Sequence, residues 1–261
     1  AARRCPQRAS DRFRAMAGLG GLNAALREHG VRRVLFVRHA NAARPDLPLP
    51  DEDRPMLGGV EAYASPHDWK RDDQKRPVTE KGKEQAQAAR EWFLGYPMRM
   101  QEARTALVAS GARRATETLQ LMAERDTCVS ILMCPSLHPA GIAPEMERMF
   151  ATLGYGPISK FLPDAAAAEA VAQYAEIVSG ELAGVVSSYG GGKDTVAVFG
   201  HAVFLNAMAL YLAGAVPGQA PPAEPWISLS PEEVERLLGT DLGEAEGLLF
   251  ENPGGFTHMH S

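Results

Sequence analysis

Val34-Leu35-Phe36-Val37-Arg38-His39-Ala40 and Val196-Ala197-Val198-Phe199-Gly200-His201-Ala202 share one shape although they lie far apart in the chain. Each is an apolar, largely β-branched run of the kind that fills a strand buried on both faces. Each ends in a histidine beside a small residue, where strand should give way to loop. Ligands of open α/β sheets bind just beyond the carboxyl ends of parallel strands. Two histidines at two such ends can therefore meet in one site. Arg38, next to the first, adds a fixed positive charge and a planar donor fork suited to phosphate. The combination points to phosphoryl chemistry.

Outward from these runs, strands and helices alternate. After the strand at 34–37 comes a long stretch, 41–76, rich in Pro, Asp and Gly and without steady periodicity. It reads either as a partial lid over the strand ends or as a surface insertion. Thr79 then caps a helix whose apolar stripe is Ala86, Ala89, Trp92 and Phe93. A strand at 106–109 leads to a helix through Ala115, Leu119 and Met122, and 129–133 reads as a third strand. The alanine-rich segment 164–188 is helical, and Gly190-Gly191-Gly192 closes it with residues that tolerate positive φ. A strand at 195–199 and a helix over about 203–213 follow, then a proline-rich connector from Pro217 to Pro225. Ser230-Pro231-Glu232-Glu233 has the residues of a helix start with a capping box. Gly247 to His260 reads as two strands around Asn252-Pro253-Gly254-Gly255. The alternation predicts an α/β three-layer sandwich with a mostly parallel central sheet and helices on both faces.

Composition narrows the function classes. The chain has 261 residues, 45% of them hydrophobic and 23% charged, so a full-sized core is expected. A net charge of −5 gives no reason to expect a nucleic-acid partner, and no apolar run is long enough for a membrane span. Cys5, Cys128 and Cys134 have no metal-ligand spacing and are too few for a disulfide framework. No cofactor or metal is expected. Residues 1–30 form a separate unit: Arg3, Arg4, Arg8, Arg12 and Arg14 face only Asp11 among the first fourteen. Such a start resembles a transit-peptide remnant, which leans toward a plastid or mitochondrion with cytoplasm left open. It reads equally well as a basic arm or docking helix through Phe13, Met16, Leu19, Leu22 and Leu26. The catalytic unit is then 31–261, with the insertion at about 41–76.

Four segments in this order resemble the histidine phosphatase superfamily, the phosphoglycerate-mutase-like fold. Val34 to Ala40 is similar to the family's strand ending in Arg-His-Gly, with Ala40 in place of glycine. Arg76-Pro77-Val78-Thr79-Glu80-Lys81-Gly82, leading to Gln85-Ala86, is similar to its Leu-Thr-x-x-Gly-x-x-Gln-Ala helix start. Ser110, Arg114, Ala115 and Thr118 fit its Ser-x-x-x-Arg-Ala-x-x-Thr segment, and Gly200-His201-Ala202 fits its second histidine. The resemblance implies a phosphatase in which His39 attacks phosphorus and forms a phosphohistidine. Arg38 and Arg114 would neutralise the phosphoryl oxygens, and His201 would donate to them. Histidine suits the first task because its ordinary pKa, about 6.5, leaves a neutral ring near pH 7. Asn41 could bind phosphate or cap its loop. Arg113 is the rival of Arg114, but its place in the motif favours a solvated charge.

The proton donor for the leaving group is the gap. Glu145 and Glu147 are candidates, each reading also as an exposed helix face. His138, in Leu137-His138-Pro139, reads as a loop residue. The Leu-x-Pro pattern, the Arg-Pro-x-Thr-x-Lys-Gly segment and the lack of a clear acid resemble the SixA-like branch, which implies a phosphohistidine phosphatase. That branch is shorter than this chain, so a phosphorylated small molecule and a phosphoprotein both stay open as substrates. The alternative is a catalytically weak or inactive family-fold subunit that docks a protein partner through the N-terminal arm or the insertion.

Overall fold

Residue alternation along the central strands divides the core into two apolar layers. In the computed structural model Val34 and Phe36 face one side of the sheet with Val196, Val198, Leu248 and Phe250, while Leu35, Val37, Ala197, Phe199 and Leu249 face the other. The structure describes residues 21–43, 73–123, 130–138, 153–154, 156–188, 192–217 and 224–260. The arginine-rich start, 44–72 of the insertion, Glu145, Glu147, Gly190 and Gly191, most of the proline-rich connector, Cys5 and Cys128 lie outside them.

The strands are β1 (Arg33–Arg38), β2 (Thr105–Ala109), β3 (Leu132–Met133), β4 (Thr195–Gly200), β5 (Gly247–Glu251) and β6 (Phe256–Met259). They form one sheet in the order β3-β2-β4-β1-β5-β6. β3, β2, β4 and β1 run parallel, and β5 and β6 are added antiparallel. The helices are α1 (Gly21–Glu28), α2 (Glu80–Leu94), α3 (Arg113–Met122), α4 (Ala165–Ser187), α5 (Phe204–Leu212) and α6 (Pro231–Gly239). α1, α4 and α5 bury their apolar residues in one layer and α2 and α3 theirs in the other, which makes the three-layer α/β sandwich. Residues 21–28, read with the basic arm, form α1; its Leu22 and Leu26 are buried, and it packs on α4.

The caps predicted at Thr79 and Ser230 are present, and the structure adds one at Asp164. The Thr79 hydroxyl accepts from the Gly82 N–H, Asp164 caps α4, and Ser230 with Glu233 forms the full capping box of α6. β3 is shorter than the sequence suggests. It pairs only through Val108–Leu132 and Ala109–Met133, and Pro135, which has no N–H for a ladder, starts a short helical turn (Pro135–Leu137). Among the described residues no helix is long and apolar enough to cross a membrane.

Candidate active site

Register brings the two strand-end histidines together. β1 and β4 are parallel neighbours, with Val34 opposite Val196 and Arg38 opposite Gly200. The His39 N–H donates to the Gly200 carbonyl at 3.0 Å, and the His39 and His201 ring centroids lie 5.1 Å apart. His39 Nδ1 lies 2.7 Å from the Ala40 carbonyl, an acceptor only, so Nδ1 carries the ring hydrogen. Nε2 accepts from Arg114 Nε at 3.1 Å and therefore presents a lone pair. Burial first, and then the Arg114 charge, push the His39 pKa well below its ordinary value; the Ala40 hydrogen bond opposes them, and Arg38 and Arg76 add to the lowering. A ring that stays neutral with Nε2 unprotonated is the nucleophilic form once Arg114 turns to the substrate.

Arg114, in the first turn of α3, is 4% exposed and fans across the whole site. Besides His39, its guanidinium donates to the Asp73 carbonyl at 2.6 Å, to Asp73 Oδ2 at 2.7 Å and to His201 Nδ1 at 3.3 Å. His201 Nε2 then carries the hydrogen and donates to the buried Ser110 hydroxyl at 3.1 Å. Burial, Arg114, His39 and His138 lower the His201 pKa, against the opposing Asp73 charge. Arg113 is not the solvated charge that was expected but pairs with Glu117 one helical turn on, at 2.5 Å, in a half-buried ion pair.

Two groups that the sequence did not assign complete the cluster. Asp73 opens a short helical turn (Asp73–Lys75) at the end of the long insertion. Its carboxylate accepts from Arg114, from Arg76 at 2.8 Å and from His138 Nε2 at 2.9 Å. Burial alone would raise its pKa, but the His138 hydrogen bond and the Arg114 and Arg76 charges hold it well below the ordinary carboxylate range. His138 is 3% exposed, with its ring edge-on to His201 at 4.9 Å between centroids. It is not a plain loop residue. Unlike His39 and His201, which directly follow their strands, it follows the Pro135–Leu137 turn, and the only signal was that this turn lies beyond the third strand.

A second layer of hydrogen bonds holds the β1 end in place. Ala40 N–H donates to the Thr118 hydroxyl at 2.9 Å. The Asn41 amide group donates to the Glu244 carboxylate at 3.0 and 3.1 Å, and its carbonyl oxygen accepts from the Thr79 hydroxyl at 2.7 Å. Asn41 thus ties loops together here. Gln85 accepts from Asn41 N–H and donates to Glu244. Gly82 is needed for this approach, since a Cβ there would lie 2.2 Å from the Asn41 carbonyl oxygen. Arg38 donates to the Leu242 carbonyl at 2.7 Å, and its buried Nε–H has no partner among the described residues. Ala40 is fully buried and is not among the positive-φ residues, so the alanine that replaces glycine sits there without strain. Strain is found instead at Val203, just after His201, with φ 65° and ψ −49°.

No curated protein matches the chain. Among solved structures, a mycobacterial glucosyl-3-phosphoglycerate phosphatase is 15% identical with TM-score 0.47, over 88% of this chain and 98% of that one. A phosphoserine phosphatase of Entamoeba histolytica is 12% identical with TM-score 0.48, over 88% and 96%. An Agrobacterium tumefaciens protein proposed to be the phosphohistidine phosphatase SixA is 13% identical with TM-score 0.42, over 85% and 92%. These relatives single out no branch. The sequence match to a known family covers residues 68–225, beginning after the β1 end, so His39 joins the matched part through the sheet register. By that match the chain belongs to the histidine phosphatase superfamily, branch 1.

Proposed function

We propose that the protein is a phosphatase that hydrolyses a phosphomonoester or phosphoramidate through a phosphohistidine on His39. The observation that carries this reading is the His39 ring: Nδ1 is held by Ala40 and Nε2 is presented to Arg114 beside His201. The Nε2 lone pair attacks phosphorus, a P–N bond forms, and the bond from phosphorus to the leaving oxygen or nitrogen breaks. Arg114 and Arg38 neutralise the phosphoryl oxygens, and His201 donates to them from Nδ1 once Arg114 turns to the substrate and the ring takes its other tautomer, with the Ser110 hydroxyl then donating to Nε2. Water then attacks the phosphohistidine, and Nε2 leaves with its lone pair restored. None of these steps calls for a metal.

His138 is our choice for the proton donor. Its Nε2–H is held by Asp73 within the cluster, whereas Asp73, kept ionised, has no proton to give. The leaving atom takes a proton from the His138 imidazolium, which is left as neutral imidazole, and the attacking water returns one in the second step. An imidazole donor suits leaving groups of moderate basicity. This supports the SixA-like reading, with a phosphohistidine side chain as the favoured substrate class. The arginine-rich start keeps a plastid or mitochondrial address as part of the proposal.

The test uses the full chain in excess chelator with an aryl phosphate and a phosphohistidine peptide. Turnover should be lost in His39→Ala, and acid-labile, base-stable phosphate should appear on the wild-type enzyme after rapid quenching. Absence of turnover on both substrates would favour the docking-subunit reading.

A further inference from the structure

At the far edge of the sheet from β3, three side chains outside the catalytic cluster converge. β5 and β6 pair antiparallel with Gly247 opposite Met259 and Leu248 opposite His258. Extending that register by one residue sets Glu246 across from His260. Alternation then places Glu246, His258 and His260 on one face. Glu246 Oε2 lies 2.8 Å from His258 Nε2, and Oε1 lies 3.1 Å from His260 Nδ1. One ligand atom from each of the three fits within 4.8 Å of the others, and the two rings are 4.0 Å apart.

We infer that Glu246, His258 and His260 form a binding site for one divalent transition-metal cation of the zinc class. Two imidazoles and a carboxylate form a donor set that suits zinc and its neighbours, and three protein ligands leave room for water. Metal–ligand bonds of about 2.0–2.1 Å put tetrahedral donors about 3.3–3.4 Å apart. The carboxylate lies 2.8 and 3.1 Å from the two rings, and one ligand atom from each residue fits within 4.8 Å of the others, so only small shifts are needed. A metal uses both rings in neutral form, each keeping its hydrogen on the nitrogen that does not ligate.

The surroundings suit a metal ligand. The Gly243 N–H donates to Glu246 Oε2 at 2.8 Å and so orients the carboxylate, a support typical of ligating groups. A Cβ at Gly243 would come within 2.7 Å of the Glu246 carboxyl carbon, so glycine is what lets the carboxylate sit there. His260 is exposed, which gives the ion a way in. The same segment touches the catalytic end of β1: Glu246 O accepts from the Arg38 N–H at 3.0 Å, and Leu242 O from the Arg38 guanidinium. A bound ion would clamp residues 242–246 under Arg38. Its role is therefore structural: it takes no part in the attack by His39 and acts only by fixing the segment against which Arg38 is held.

The experiment is titration of the metal-stripped full chain with Zn²⁺ by calorimetry and with Co²⁺ by visible absorption. One ion per chain is expected, with a melting temperature that rises with Zn²⁺. His260→Ala, at an exposed position where folding is not at risk, and Glu246→Gln should each weaken binding at least about tenfold, the low end of what losing even a supporting contact costs. His39→Ala should bind as the wild type does. The inference is overturned if no saturable binding occurs, if His260→Ala and Glu246→Gln bind as tightly as wild type, or if binding disappears only in His39→Ala.

Discussion

His39 and His201 stand at the ends of adjacent parallel strands whose pairing fixes how they meet, whereas Asp73, from one short helical turn, accepts from the same guanidinium and from His138, which follows another. The strand-borne half rests on two apolar layers and has little freedom to move. In the turn-borne half, Asp73 is held by hydrogen bonds and charge, while His138 follows a turn whose Leu137 is buried in the larger apolar layer. Arg114 is the joint, with His39 and His201 on one side and Asp73 on the other. The comparison suggests a division of labour in which the rigid half performs the attack on phosphorus and the turn-borne half manages the leaving group.

The largest effect should come from the rigid half. His39→Ala should lower kcat on the order of 10⁴- to 10⁶-fold, the scale seen when a nucleophile is removed. The chain should still fold, because the His39 side chain is not part of either apolar layer. Steady-state kinetics with an aryl phosphate, together with a denaturation curve, check both parts. A residual rate within a hundredfold of wild type would move the attack elsewhere and dissolve the division of labour.

Next comes the joint. Arg114→Lys keeps the charge but loses the planar fork that spans both halves, so kcat should fall about 10²- to 10³-fold. Arg114→Met also removes the charge, which tests the electrostatics directly. In the wild type His39 is held neutral to well below pH 6.5, so activity that needs the neutral ring falls only as pH drops through that lowered pKa. Without the Arg114 charge the His39 pKa should rise toward its ordinary value, and the acid limb should move up in pH with it. NMR titration of the His39 ring in the free protein reads the shift. An unchanged titration in Arg114→Met would show that burial alone sets it.

The same division explains what could be read in the sequence. A buried strand announces itself by composition, and the residue after it is placed by the sheet, so His39 and His201 were legible, as was Arg114 from its position after Ser110. The caps at Thr79 and Ser230 were legible because capping depends on local residue order. Asp73 was not, because nothing in an aperiodic stretch says which of its acids folds back onto a distant arginine. His138 follows a short helical turn, five residues past a strand with only two paired residues, so no strand end placed it. The metal-capable cluster was also missed: Glu246 and His260 meet only through a hairpin register that the sequence suggested without fixing.

A smaller effect should separate the halves by substrate. His138→Gln keeps a side chain that can donate to Asp73 but cannot release a proton. For an alkyl phosphate, whose leaving group needs protonation, the rate should fall about 10²-fold or more. For an activated aryl phosphate the loss should stay under roughly tenfold, since little protonation is required. Equal losses on both substrates would make His138 a positioning residue and return the donor question to Glu145 or Glu147.

The smallest effect concerns Ala40, where the family pattern has glycine. The Ala40 methyl is fully buried in the layer shared with Val37 and Val78, and its backbone is outside the left-handed region. Glycine there would lose about 0.8 kcal/mol of buried methyl and add about 0.5–1 kcal/mol of unfolded-state entropy. Ala40→Gly should therefore lower stability by about 1–2 kcal/mol in urea denaturation while leaving kcat within about twofold. The Ala40 carbonyl would still hold His39 Nδ1, and its N–H would still reach Thr118. A tenfold gain in kcat on restoring glycine would mean instead that the alanine is a lesion at the nucleophile. That outcome would favour a weakened family-fold subunit over a working phosphatase, and it would show that the rigid half constrains the chemistry more tightly than its packing suggests.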